Sequence, residues 1–175
     1  MHLAGLAPNP DLTEAIMATI KKKITGEKQF GGFTPYGNLT TLRATLETNA
    51  SGAVLNSDST AALGIGDVVV LEKLPEGFLL EDAQAIVSTG MTATATGSLG
   101  FLYADGVDST AAPQDAAYFG SGLNAATAAR LRATGTKAPV RLAKEAYLVW
   151  TQAVVANAKA SRIDFIVHGE RLGPN

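Results

Sequence analysis

The chain has 175 residues, 46% of them hydrophobic, with 14 Lys and Arg against 16 Asp and Glu, a net charge of −2 and no Cys. That length and apolar content suffice for one domain that folds without a disulfide or a metal, and they exclude global disorder. The absence of Cys removes disulfide frameworks, thiolate zinc sites and cysteine nucleophiles, and the acidic balance argues against a protein that holds nucleic acid by neutralising phosphates.

Residues 1–37 differ from the rest. Met1 to Pro10 lack the basic start and apolar stretch of a signal peptide, and no apolar run approaches a membrane span. The expectation is a soluble protein made without a Sec-type export signal, in a reducing cytoplasm, with neither membrane nor nucleic acid as a partner. Pro8 and Pro10 hold the start extended. Asp11 stands as an N-cap with Glu14 three residues on, and Leu12, Ile16 and Ile20 follow at helical spacing. Lys21, Lys22 and Lys23 would complement the C-terminal dipole, with Gly26 as the stop and Gly31, Gly32 and Pro35 as a linker. The spacing predicts a short amphipathic helix on an N-terminal arm, 1–37, followed by a β domain, 38–175.

From Asn38 the period becomes two. Leu42, Ala44 and Leu46 alternate with Arg43, Thr45 and Glu47 as a half-buried strand, and the stretch Asn49 to Ser59 is turn-rich. Val68 to Leu71 is a β-branched run, Pro75-Glu76-Gly77 a turn, and Phe78 to Ser88 and Ser98 to Tyr103 two further strands, with Leu99, Phe101 and Tyr103 on one face. A loop is expected from Ala104 to Asp115 and a short helix over Asn124 to Leu131. Strands resume at Ala138 to Leu142, Tyr147 to Val155 and Arg162 to His168, where Ile163, Phe165 and Val167 share the inward face and Ile166 is the apolar exception outside. At least seven short strands with intervening turns describe a mainly β, antiparallel β-sandwich. Irregular spacing and long crossovers favour a jelly roll.

Chemistry is thin along this pattern. Of two His residues, His2 lies near the terminus and His168 alternates with Asp164 and Glu170 on a polar strand face, with no G-x-S-x-G elbow to supply a nucleophile. Gly120-Ser121-Gly122 lacks the Lys and spacing of a phosphate loop and reads as a bend between loop and helix. Asp105-Gly106-Val107-Asp108 lacks the alternating oxygens of a calcium loop and reads as a turn. Lys21 to Lys23, with Lys28, suit a solvated helix end or a contact with an acidic neighbouring protein better than nucleic acid. Trp150, alternating with Leu148, reads as core, and 6% aromatic content is low for a sugar-binding platform. The expectation is a protein with no catalytic residues, no cofactor and no metal. Only 17% of residues are charged, a weakly solvated composition that suits a protein covered by neighbours.

Two stretches carry a resemblance. One is TLRATLETNASGAVLNSDST, GDVVVLEKLPEGFLLEDAQAIVSTGM and GSLGFLYADG, from Thr41 to Gly106; the other is KAPVRLAKEAYLVWTQAVVANAKASRIDFIVHGERLG, from Lys137. Together they resemble the decoration or cement proteins of tailed bacteriophages, over roughly residues 38 to 172. Gly66-Asp67 before a β-branched strand and Leu74-Pro75-Glu76-Gly77 before the next are the most suggestive elements. The resemblance implies a structural virion protein on the outside of an icosahedral capsid, a homodimer or homotrimer bound to the major capsid protein, with no catalytic residues to carry over. A tail, baseplate or head–tail connector component is the alternative, since one sandwich serves many roles.

Overall fold

The computed structural model describes residues 18–22 and 39–173. These residues form ten strands and no helix: β1 (Thr19–Lys21), β2 (Leu39–Thr48), β3 (Val68–Leu74), β4 (Phe78–Thr89), β5 (Thr96–Tyr103), β6 (Asp115–Asn124), β7 (Ala129–Arg132), β8 (Val140–Arg141), β9 (Ala146–Ala153) and β10 (Ser161–Arg171). One sheet runs β1-β3-β9-β5-β6 and the other β2-β10-β4-β7, with β8 also paired to β4. Every pairing is antiparallel except β1 with β3, which is parallel. The chain changes sheet at most connections, and β9 and β10 occupy interior positions of their sheets.

Alternation puts one face of each strand into a single shared core. Leu42, Ala44 and Leu46 on β2, Leu99, Phe101 and Tyr103 on β5, and Ile163, Phe165 and Val167 on β10 are all buried there, as their period of two predicts. Trp150 from β9 and Phe165 from β10 meet across the two sheets with ring centroids 5.5 Å apart. Gly97 makes room for that indole, because a Cβ there would lie 2.1 Å from the Trp150 ring. This is a two-sheet, sandwich-like body whose layers share one core.

Four expectations change. The arm helix over residues 11–17 falls outside the described residues, but its continuation does not: Thr19–Lys21 is a strand beside β3. Ile20, assigned to a helical series, is a core residue at 2% exposure. The open edge of β3 competes successfully with a local helical preference, since propensity is weak against tertiary burial. The helix over Asn124 to Leu131 is absent. Asn124 ends β6, its Oδ1 accepts the Ala126 N–H at 3.0 Å, and Ala129–Arg132 is β7. An Asn that looks like an N-cap is closing an Asx turn with the same chemistry. Gly120-Ser121-Gly122, expected before that helix, lies inside β6 opposite Leu99. Tyr147 to Val155 is shortened as well, because Val154 takes a φ of 69° and ends the ladder at Ala153.

Candidate interaction surfaces

The side chains singled out for chemistry are dispersed and mostly occupied. His168 stands on the outward face of β10 with its Nδ1 3.2 Å from the Thr41 hydroxyl, an exposed pair. The nearby Asp164 is taken by Arg162 and by Thr45, whose hydroxyl donates to it at 2.8 Å. Asp105 accepts the Val107 N–H at 3.0 Å and the Lys144 ammonium at 2.6 Å. Asp108 accepts two backbone N–H groups, from Ser109 and Gln114, at 2.7 Å each. Among the described residues no three His, Asp or Glu side chains gather as metal ligands. These carboxylates close turns.

Lys21 and Lys22 do not form a solvated helix end. The Lys21 N–H donates to Asp58 Oδ1 at 3.0 Å, and the Lys22 ammonium reaches the Thr45 carbonyl on β2. Burial pushes the Lys22 pKa below its ordinary value, against the opposing pull of Glu47, Glu72 and Asp164. Lys23 and Lys28 lie outside the described residues.

The outward faces of the two sheets differ in kind. On β2-β10-β4-β7, Arg162 pairs with Glu47 at 2.5 Å and bidentately with Asp164 at 3.1 Å, while Arg132 pairs with Asp82 at 3.0 Å. The bidentate guanidinium holds the Asp164 carboxyl below its usual range, and Asp164 in turn raises Arg162. On the other sheet the outward positions carry Val68, Val70, Val149, Thr151, Leu102 and Tyr147, with Thr19, Lys21, Lys73 and Ser98 as their register partners. Val70 and Val149 are buried although they lie outside the shared core, and the Thr151 hydroxyl is buried without a partner.

One end of the body, built by the loops 49–67, 90–95, 125–128 and 154–160, is knotted around Asn157, which is fully buried. Its Nδ2 donates to Thr48 Oγ1 and to the Lys159 carbonyl, both at 2.8 Å, and its Oδ1 accepts the Thr92 N–H at 3.1 Å. Its own N–H donates to the Leu63 carbonyl at 2.8 Å. The loop around Gly52, with φ of 83°, passes so close that a Cβ there would meet the Asn157 carbonyl oxygen at 2.0 Å. Beside the knot, Val154 is 61% exposed at its positive φ, and the Val155 N–H donates to the Ala153 carbonyl at 2.8 Å. This is a γ-turn of the strained hand, rare for a β-branched residue. The buried Gln152 holds it by donating to the Val155 carbonyl at 2.8 Å while accepting from the Trp150 indole at 3.2 Å. Ile65, also 61% exposed, is adjacent through the Gly66 N–H, which donates to the Gln152 carbonyl at 2.8 Å. Sequence reasoning missed Asn157, since a lone Asn in a polar loop carries no periodic signal.

No protein-family model and no curated protein matches the sequence. Solved structures share the fold. A chain from the capsid of Ralstonia phage GP4 superposes with a TM-score of 0.59 at 15% identity, covering 90% of this chain and 100% of that one. A chain from the capsid asymmetric unit of cyanophage Pam1 superposes with a TM-score of 0.52 at 14% identity, covering 83% of this chain and 94% of that one. At such identities the likeness establishes the fold.

Proposed function

We propose that this chain is a structural virion protein that binds the outer surface of an icosahedral phage capsid and cements it. Its partners in this reading are the major capsid protein and further copies of itself, as a homodimer or homotrimer. The observation that carries the reading is the extent of the likeness to a chain of a phage capsid: 90% of this chain against 100% of that one. The shared fold thus spans nearly all of both chains. Strand order supports the finer reading of the fold as a jelly roll. With β1 and β8 set aside, the remaining eight strands pair first with eighth, second with seventh, third with sixth and fourth with fifth, the pattern of one long antiparallel ribbon rolled up.

Cementing requires no reaction, and we assign none to His168 or to the carboxylates. A rigid body that binds the assembled shell and not its separated subunits stabilises the shell by mass action, and many repeats of one modest contact add up. Residues 1–37 act in this reading as an arm on the body 38–175. Deleting them removes Ile20 from the core at a cost of about 2–5 kcal/mol and leaves one cooperative unfolding transition; loss of that transition sets the boundary elsewhere.

The test is quantitative mass spectrometry of purified virions of the phage that encodes the protein. A copy number comparable to the major capsid protein is expected. A handful of copies moves the protein to the tail or connector, and complete absence overturns the reading.

A further inference from the structure

The hydrogen bonds that hold residues 18–22 run to a slot built from residues 45–70. The Asp67 carboxylate accepts the Ala18 N–H at 3.0 Å, and the Val68 N–H donates to the Ala18 carbonyl at 3.1 Å. Thr19, Ile20 and Lys21 lie in parallel register with Val68, Val69 and Val70. Asp58 clasps Lys21 from both sides, accepting its N–H at 3.0 Å and donating its own N–H to the Lys21 carbonyl at 3.0 Å. Lys22 reaches over to Thr45 on the opposite sheet, and Ile20 closes the core. Three residues of strand make few ladder bonds, so opening this segment costs little compared with global unfolding. An empty slot is nevertheless unfavourable. It leaves the edge of β3 unpaired over Val68–Val70 and a cavity where Ile20 sits.

The sixteen residues 23–38 join Lys22 to Leu39. At about 3.3 Å per residue they reach at most roughly 50 Å, beyond the diameter of roughly 35–40 Å expected of a domain this size. A chain of this length can span from one body to the slot of an adjacent copy. Its contacts there would be identical to those at home, so exchange between copies costs little once they are held close.

We propose that residues 18–22 are an exchangeable strand. In an oligomer each copy inserts Thr19–Lys21 beside β3 of a neighbour, completing its sheet and plugging its core with Ile20. The occupant is a second copy of this chain, and the exchange needs no shell, so it stands or falls on the isolated protein.

The chain has no Cys, so engineered thiols are the only ones present. Thr19→Cys and Val68→Cys, register partners outside the core, are made as two single variants of the full chain and as one double variant. The single variants are mixed, unfolded, refolded together at high concentration and treated with a short bis-maleimide. A covalent dimer containing one of each is expected, with none from either variant alone, and the double variant is expected to link between chains. Linking of the double variant only within itself, with no mixed dimer, overturns the exchange. The absence of any cross-link overturns it too. Lys21→Cys with Val70→Cys gives the same readout if the first pair disturbs folding, which is checked by the unfolding transition. Whether the protein is found in virions does not bear on either outcome.

Discussion

The two ends of the body are held together by different means. At the Asn157 end, neutral side chains satisfy one another: the buried Thr48, Ser161 and Asn157, with the half-buried Thr92, tie the loops 90–95 and 154–160 to the ends of β2 and β10. At the far end, where the loop 104–114 lies, the Tyr103 hydroxyl donates to the buried Ala112 carbonyl, and exposed ion pairs are added around it: Lys144 with Asp105 at 2.6 Å, Lys73 with Glu145 at 2.8 Å and Lys137 with Asp115. A buried and fully bonded network is costly to break in part, because each orphaned group keeps its desolvation penalty. An exposed ion pair is worth little and fades with salt. Salt and pH therefore act mainly on the ion-paired end, and the strained, exposed Val154 belongs to the other.

Removing the centre of the knot gives the largest difference between the ends. Asn157→Ala should cost about 2–4 kcal/mol, read as a shift in the denaturant midpoint at constant slope. A cost below about 0.5 kcal/mol would mean that water replaces the amide. Val154→Gly should raise stability by about 1 kcal/mol, by releasing the positive φ. If the strain serves to display an apolar side chain, the same variant weakens binding to shells, which sedimentation with purified capsids measures; unchanged shell binding removes Val154 from the contact.

The smallest effects belong to the ion-paired end. Lys144→Ala should cost at most about 0.5 kcal/mol at low salt and nothing measurable at 1 M salt; a salt-independent loss would point instead to its packing over the Tyr103 ring, 4.9 Å away. The Lys144 hydrogen bond holds the Asp105 carboxyl below its usual range. At Asp115 burial pushes upward, but the Lys137 and Ala117 contacts outweigh it. Depressed carboxyl pKa values contribute stability that is present above the unfolded value near pH 4 and lost as the pH falls through the lower folded values. Amide protection in the loop 104–114, corrected for intrinsic exchange, should fall on acidification through that window. The Asn157 knot contains no titrating side chain and should show no such step.

The sheet-forming strands were legible where one face meets the core and the other meets water. Leu42 to Glu47 and Arg162 to His168 alternate because β2 and β10 do this over most of their length. β6 was not legible: its Gly120, Ser121 and Gly122 bend the strand, and its partners on β5 shift register twice. β1 was hidden because Ile16 and Ile20 fit a helix as well as a strand, and three residues are too few for periodicity to decide. Of the functional surfaces, the charged face of β10 could be anticipated from Arg162, Asp164 and His168. The knot and the strained Val154 could not, since both arise from loops meeting across the fold.

The central place of β9 and β10 in their sheets governs the order of events during synthesis. β9 separates β3 from β5, and β10 separates β2 from β4, so these four earlier strands flank gaps that only later strands fill. Short pairings such as β5 with β6 can form on the ribosome, but the sheet β1-β3-β9-β5-β6 closes only when β9 has emerged and the sheet β2-β10-β4-β7 only when β10 has. Folding is therefore completed late, as expected for a fold built on distant pairings, and a nascent chain stalled before Ser161 has no finished β2-β10-β4-β7 sheet to offer an assembling particle.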